Sequence, residues 1–267
     1  MFEQTGHGGT SWYLNMAFLP AVLVVLPVFL VVAVCLSPVM NAGQLLICYL
    51  ALGISVPFIA KSAVDEGQEW ERRFIATRGA QPGVIVLRYR DKGLDESLKR
   101  KVHQLLADTL GTPMPGRGDE EIAPGQADAA YRAGISRVVE AASGKRSFVL
   151  TRRALAYRLW LSGHVLRNAG LFTTCLAMAA ICMNAYLAPV DVRVSVYAST
   201  LPGFFGQALI LGIFATVWAC LFVEQNVNRS AFAFAAQLVM MWPELKQSPQ
   251  ATRVEGPVLR RDWRRRY

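Results

Sequence analysis

The sequence predicts a mainly α membrane protein: four transmembrane helices in two hairpins, with a small, mostly helical cytoplasmic insert between them. Three observations predict it. The chain has 267 residues, of which 53% are hydrophobic. Asp, Glu, Lys and Arg are absent from three long stretches, between Glu3 and Lys61, between Arg167 and Asp191, and between Arg193 and Glu224. Finally, Lys and Arg are distributed unevenly around those stretches.

About 20 apolar residues at about 1.5 Å per residue cross the hydrocarbon core. The first charge-free stretch holds two such crossings and the others one each, giving spans near 14–36, 39–60, 166–187 and 204–223. Backbone groups in lipid must be satisfied within the segment, which favours helices. A signal peptide is a poor reading of the first segment, which has no preceding Lys or Arg and a long apolar run followed closely by a second. A hairpin turning at SPVMNAGQ is simpler.

Of the 28 Lys and Arg, 19 lie between Lys61 and Arg167, 8 lie after Val223, and Arg193 alone lies in the loop joining the third and fourth spans. Cytoplasmic segments retain such charges. The middle region and tail are therefore expected in the cytoplasm, and four crossings return the N-terminus there. The expected divisions are a hairpin over 1–60, an insert over 61–165, a second hairpin over 166–223, a cytoplasmic helix over 224–245 and a basic, disordered tail over 246–267.

Within the insert, Ala63, Trp70 and Phe74 share a helix face, which extends the second span to a stop near Gly79. GVIVLRYR, rich in β-branched residues, reads as a strand. LDESLKRKVHQLLADTLG is an amphipathic helix with Leu94, Leu98, Val102, Leu105, Leu106 and Leu110 on one side. TPMPGRGDEEIAPGQ reads as a Pro/Gly loop whose Asp119, Glu120 and Glu121 are solvated. ADAAYRAGISRVVEAASG is a helix with Tyr131, Ile135, Val138 and Val139 inward. From about Phe148 no proline intervenes until Pro189, so one long helix should run through the third span. EQNVNRSAFAFAAQLVMMWPEL continues as a helix ending near Pro243.

No catalytic constellation is expected. His7, His103 and His164 lie outside any HExxH pattern, there is no P-loop or GxGxxG, and the five cysteines lack metal-site spacing. No cofactor or metal is called for. The stretch TRRALAYRLWLSGHVLRNAGLF instead concentrates Arg152, Arg153, Arg158, His164 and Arg167 at the start of the third span. On a helix Arg153, Trp160, His164 and Arg167 fall in one narrow stripe. Guanidinium and indole suit phosphate and base recognition. They equally suit the bilayer interface, where Trp sits among headgroups and Arg snorkels. The tail LRRDWRRRY is suited to anionic lipid headgroups.

Apart from Arg167 at the start of the third, the spans carry no formal charge, against an ion-coupled pump. Their polar groups include Thr173 and Asn184 in the third span and Gln207 and Thr216 in the fourth. These are the candidate pore-lining or gating residues if several chains assemble. Gly212, Thr216 and Cys220 form a row of small residues that permits close helix approach.

The segments WERRFIATRGAQP, VLRYRDKGLDESLKRKVHQLL, MP…DEE…ADAAYRAGI and FVL…AYRLW…LRNAGL resemble successive motifs of a group of bacterial four-helix membrane proteins. That group acts in anti-phage defence, as effectors paired with nucleotidyltransferases. The resemblance covers roughly Trp70 to Leu171. It implies a homo-oligomeric effector of the inner membrane whose cytoplasmic region senses a nucleotide or oligonucleotide and whose pore depolarises the infected cell. The rival expectation is a non-enzymatic scaffold subunit of a larger secretion or conjugation complex.

Overall fold

A computed structural model describes residues 9–36, 40–143, 148–187 and 205–243. The tail and the loop holding Arg193 lie outside them. The described residues are helical, without a strand. The helices are α1 (Gly9–Val31), α2 (Ala42–Arg78), α3 (Pro82–Leu87), α4 (Glu96–Leu110), α5 (Arg117–Ile122), α6 (Pro124–Ser143), α7 (Phe148–Leu187), α8 (Phe205–Leu221) and α9 (Glu224–Met240). α2 and α7 are each long and apolar enough to cross a membrane. α8 and α9 make a third candidate if their 56° bend belongs to one crossing.

The chain divides into two compact units. One comprises the described residues of Met1–Gln81 and Val149–Phe234, the other those of Pro82–Phe148 and Ala235–Tyr267. In the first unit α1 packs on α2 through small residues. Ala17, Ala21, Val24 and Val25 meet Val56, Ala60 and Ala63 in one buried cluster that also takes in Leu166, Trp218 and Phe222. Phe29 stacks on Tyr49 with ring centroids 5.3 Å apart. The turn before α2 is pinned by a reciprocal cap. Asn41 Oδ1 accepts the Gln44 N–H at 2.9 Å, and Gln44 Oε1 accepts the Asn41 N–H at 3.1 Å.

α2 runs unbroken to Arg78 and stops at Gly79, whose φ of 74° is the left-handed conformation that ends helices. α7 is a single helix of 40 residues. Both helices therefore cross the sequence-based boundaries at 60/61 and 165/166 without interruption. No proline follows Pro57 in α2 and none lies in α7, so neither helix meets a proline break.

In the second unit GVIVLRYR is not a strand. Pro82–Leu87 forms helix α3, and the correction has a tertiary cause. A six-residue helix leaves its last carbonyls without partners. Here α4 supplies them. His103 Nε2 lies 3.0 Å from the Leu87 carbonyl, and Lys99 Nζ donates to the carbonyls of Arg88 (2.7 Å) and Asp91. The Arg88 guanidinium makes two bonds, of 2.8 and 2.6 Å, to the Asp128 carboxylate on α6. A β-branched run that would otherwise pair as an edge is thus held as a turn of helix by a set of buried polar caps.

The loop expected over 112–126 contains α5 and the start of α6. Asp119 accepts the Gly116 N–H at 2.9 Å and starts α5. Glu120 is not solvated. It is 5% exposed, and its Oε2 accepts the Tyr89 N–H at 2.7 Å and the Tyr131 hydroxyl at 3.4 Å. The inward face of α4 accordingly contains Lys99 and His103 beside Val102 and Leu106. α6 turns Tyr131, Ile135 and Val138 inward as its spacing predicts.

Burial lowers the His103 imidazolium below its ordinary value near 6.5, and Lys99 lowers it further. Its bond to the Leu87 carbonyl and the Glu120 charge act the other way. With the folded pKa depressed, the stability His103 contributes is complete above about pH 6.5 and is lost as pH falls through the folded value. Acidification from pH 7 to 5 is expected to weaken this unit by up to about 1.4 kcal/mol per pH unit from this group. Denaturant unfolding of the wild type against His103→Gln at each pH isolates the effect. Parallel pH curves for the two would refute it.

Candidate functional site

The basic stretch occupies the N-terminal half of α7, and there its members separate into four environments. Arg158 turns to α2, where it lies 3.5 Å from Glu71, which also accepts the Tyr157 hydroxyl at 2.7 Å. Glu71 therefore ties α2 to α7, while Glu69 takes Arg72 and Arg73. Arg152 is exposed.

His164 and Arg167 are held by backbone. α8 closes in a π-helical turn, Val217–Leu221, and the chain then bends into α9. No proline or glycine causes the break, and the loosened carbonyls need donors. Arg167 gives Nε–H to the Trp218 carbonyl at 3.2 Å and Nη2–H to the Ala219 carbonyl at 3.3 Å. His164 Nδ1 lies 3.2 Å from the Phe222 carbonyl, and Asn226 donates to the Leu221 carbonyl at 2.7 Å. A cation at the carbonyl end of a helix is also favoured by the helix dipole.

The same break lodges two aromatic rings in α7. A Cβ added to Gly163 would lie 2.0 Å from the Phe222 ring, and one added to Gly170 would lie 2.1 Å from the Trp218 ring. The glycines are seven residues apart and so share a face. Trp218 is wholly buried and Phe222 nearly so. Trp160 meets Phe222 edge-on at 5.7 Å, and His164 meets Trp70 of α2 at 6.0 Å. The stripe expected from the helical projection is thus mainly a fastening between α7 and the bend.

Arg153 and Trp160 have a further setting. They line a cleft of about 250 Å³ together with Ala156 and with Asn226, Arg229, Ser230 and Ala233 of α9. Arg229 escaped the sequence reading because its partner in the cleft is 76 positions away. Gly163 and Gly170 escaped it too, although their seven-residue spacing on one helix was visible.

Of the four pore-lining candidates, Thr216 lies on an open groove of about 560 Å³ along α8, lined also by Ala208, Gly212 and Cys220. Its hydroxyl returns to the Gly212 carbonyl at 2.8 Å. Thr173 bonds to the Gly170 carbonyl at 3.1 Å, Asn184 is exposed on α7, and Gln207 is half-buried on α8. None of these three lines that groove. No protein-family model, curated protein or solved structure matches the chain.

Proposed function

We propose that the chain is a homo-oligomeric effector of bacterial anti-phage defence that forms or gates an ion-conducting pore in the inner membrane. An anionic nucleotide or oligonucleotide, the product of a partner nucleotidyltransferase, controls it from the basic cytoplasmic region. In this reading four helices cross the bilayer, both termini and the 61–165 insert are cytoplasmic, and the tail attracts anionic headgroups. Thr173, Asn184, Gln207 and Thr216 face the conducting path of the assembly.

One observation carries the reading. α7 joins the basic stretch to an apolar run without a break, and His164 and Arg167 fasten that junction to the bend after α8. A ligand that moves the basic half of α7 therefore acts on two apolar helices together. Rigid elements with a built-in break are the material from which switching transitions are made. The resemblance of the insert to defence effectors supplies the biological setting.

The test is membrane potential in cells producing the chain with and without its proposed nucleotidyltransferase partner, followed with a voltage-sensitive dye during infection. Depolarisation that requires both genes is the expected result. A steady potential under every triggering condition overturns the reading. Purification as an obligate hetero-complex, in place of a self-assembled oligomer, would favour the scaffold alternative.

A further inference from the structure

We infer that the cleft between α7 and α9 binds a phosphate group, and that Arg153 and Arg229 are its two clamps. This deepens the proposed function and rests on it for the cytoplasmic side on which the cleft opens. Among the described residues Arg72, Arg73, Arg88, Arg90, Arg137 and Arg158 each meet a carboxylate, Arg78 lies over the Phe74 ring, and Arg167 is held by carbonyls; what sets two other arginines apart is that they share a cleft. Arg153 and Arg229 stand on facing helices around one cleft whose lining contains no carboxylate.

Two guanidiniums beside one cavity repel each other, and a cleft with an indole wall focuses their field. An anion between them removes that repulsion. Guanidinium presents paired N–H donors that match phosphate oxygens. Asn226 adds an amide with one N–H beyond the one given to the Leu221 carbonyl. Trp160 offers an apolar wall to whatever the phosphate is esterified to, a nucleoside or a glycerol. Both arginines are exposed, so the site is reached without opening the fold. The chemistry is that of a phosphate ester, from a soluble nucleotide or from a phospholipid headgroup.

The experiment uses the full chain in nanodiscs. In neutral phosphatidylcholine discs, inorganic pyrophosphate is titrated calorimetrically. Saturable binding is expected, weakened at least about tenfold by Arg153→Glu and by Arg229→Glu and retained by Arg152→Glu, since a charged hydrogen bond is worth about 1.5–3 kcal/mol. Arg153→Lys, which keeps the charge and loses the fork, should fall between. In discs doped with phosphatidylglycerol, lipid retained by the purified protein is counted by mass spectrometry. No pyrophosphate binding together with phosphatidylglycerol retention that both Glu variants abolish identifies a headgroup as the source. If neither readout depends on both arginines, or Arg152→Glu weakens binding as much, the site is refuted. Unaltered unfolding of the Glu variants guards against misfolding. Loss of binding in cells that still depolarise normally would sink control by this ligand while leaving the site intact. Normal depolarisation with binding indifferent to both arginines would sink the site alone.

Discussion

Gly170→Ala is expected to destabilise the first unit by about 3 kcal/mol, the upper end of what overpacking costs. The added methyl would sit 2.1, 2.4 and 2.5 Å from three atoms of the Trp218 ring. Flexible side chains absorb such intrusions, but an indole buried on every side does not swing aside. Its neighbour Phe222, with ring centroid 5.0 Å away, fills the next notch at Gly163 and blocks retreat in that direction. Unfolding in mixed detergent micelles reads the loss. Trp218→Ala makes room for the methyl, so the double variant should be more stable than the sum of the two single costs predicts. The coupling expected for groups in contact is about 0.5–3 kcal/mol. A neutral Gly170→Ala, or strict additivity, would show that the ring is not seated in the notch.

Asp128→Ala is expected to cost the second unit about 3–5 kcal/mol, because it strands the Arg88 charge among buried groups. The guanidinium is 8% exposed and its partner carboxylate 14%. Arg88 also anchors the segment whose carbonyl is bonded to Lys99, so the loss should spread to α3 as a whole. Hydrogen exchange of the full chain should show the α3 amides within Gly83–Leu87 losing protection first. Replacing both partners, Arg88→Met with Asp128→Leu, removes the stranded charge and should recover most of the stability. A cost under about 1 kcal/mol for Asp128→Ala would mean the pair is solvated like a surface bridge.

What could be read in advance was what local rules govern. Gly79 as a stop, the unbroken course of α7 and the inward face of α6 follow from a left-handed glycine, an absence of proline and a 3.6-residue period. The misreadings share a different cause. Val84, Ile85 and Val86 favour a strand by themselves, and only caps reaching from His103 and Lys99 make them a helix. Glu120 looks solvated in an acidic loop, yet the Tyr89 N–H and the Tyr131 hydroxyl draw it inside. The basic stripe is legible in the sequence, but its division between Glu71, the carbonyls of the bend and the cleft with Arg229 depends on helices far away in the chain.

Trp218 carries an optical consequence. Its indole is fully buried among apolar side chains, and its Nε1–H is without a hydrogen-bond partner among the described residues. An indole in such dry surroundings emits at shorter wavelength than one in water. A chain keeping Trp218 as its sole tryptophan would therefore report, by the colour of its emission, whether the bend is docked on α7. Any treatment that lifts the ring from its glycine seat into water would turn that emission red without a label having been attached.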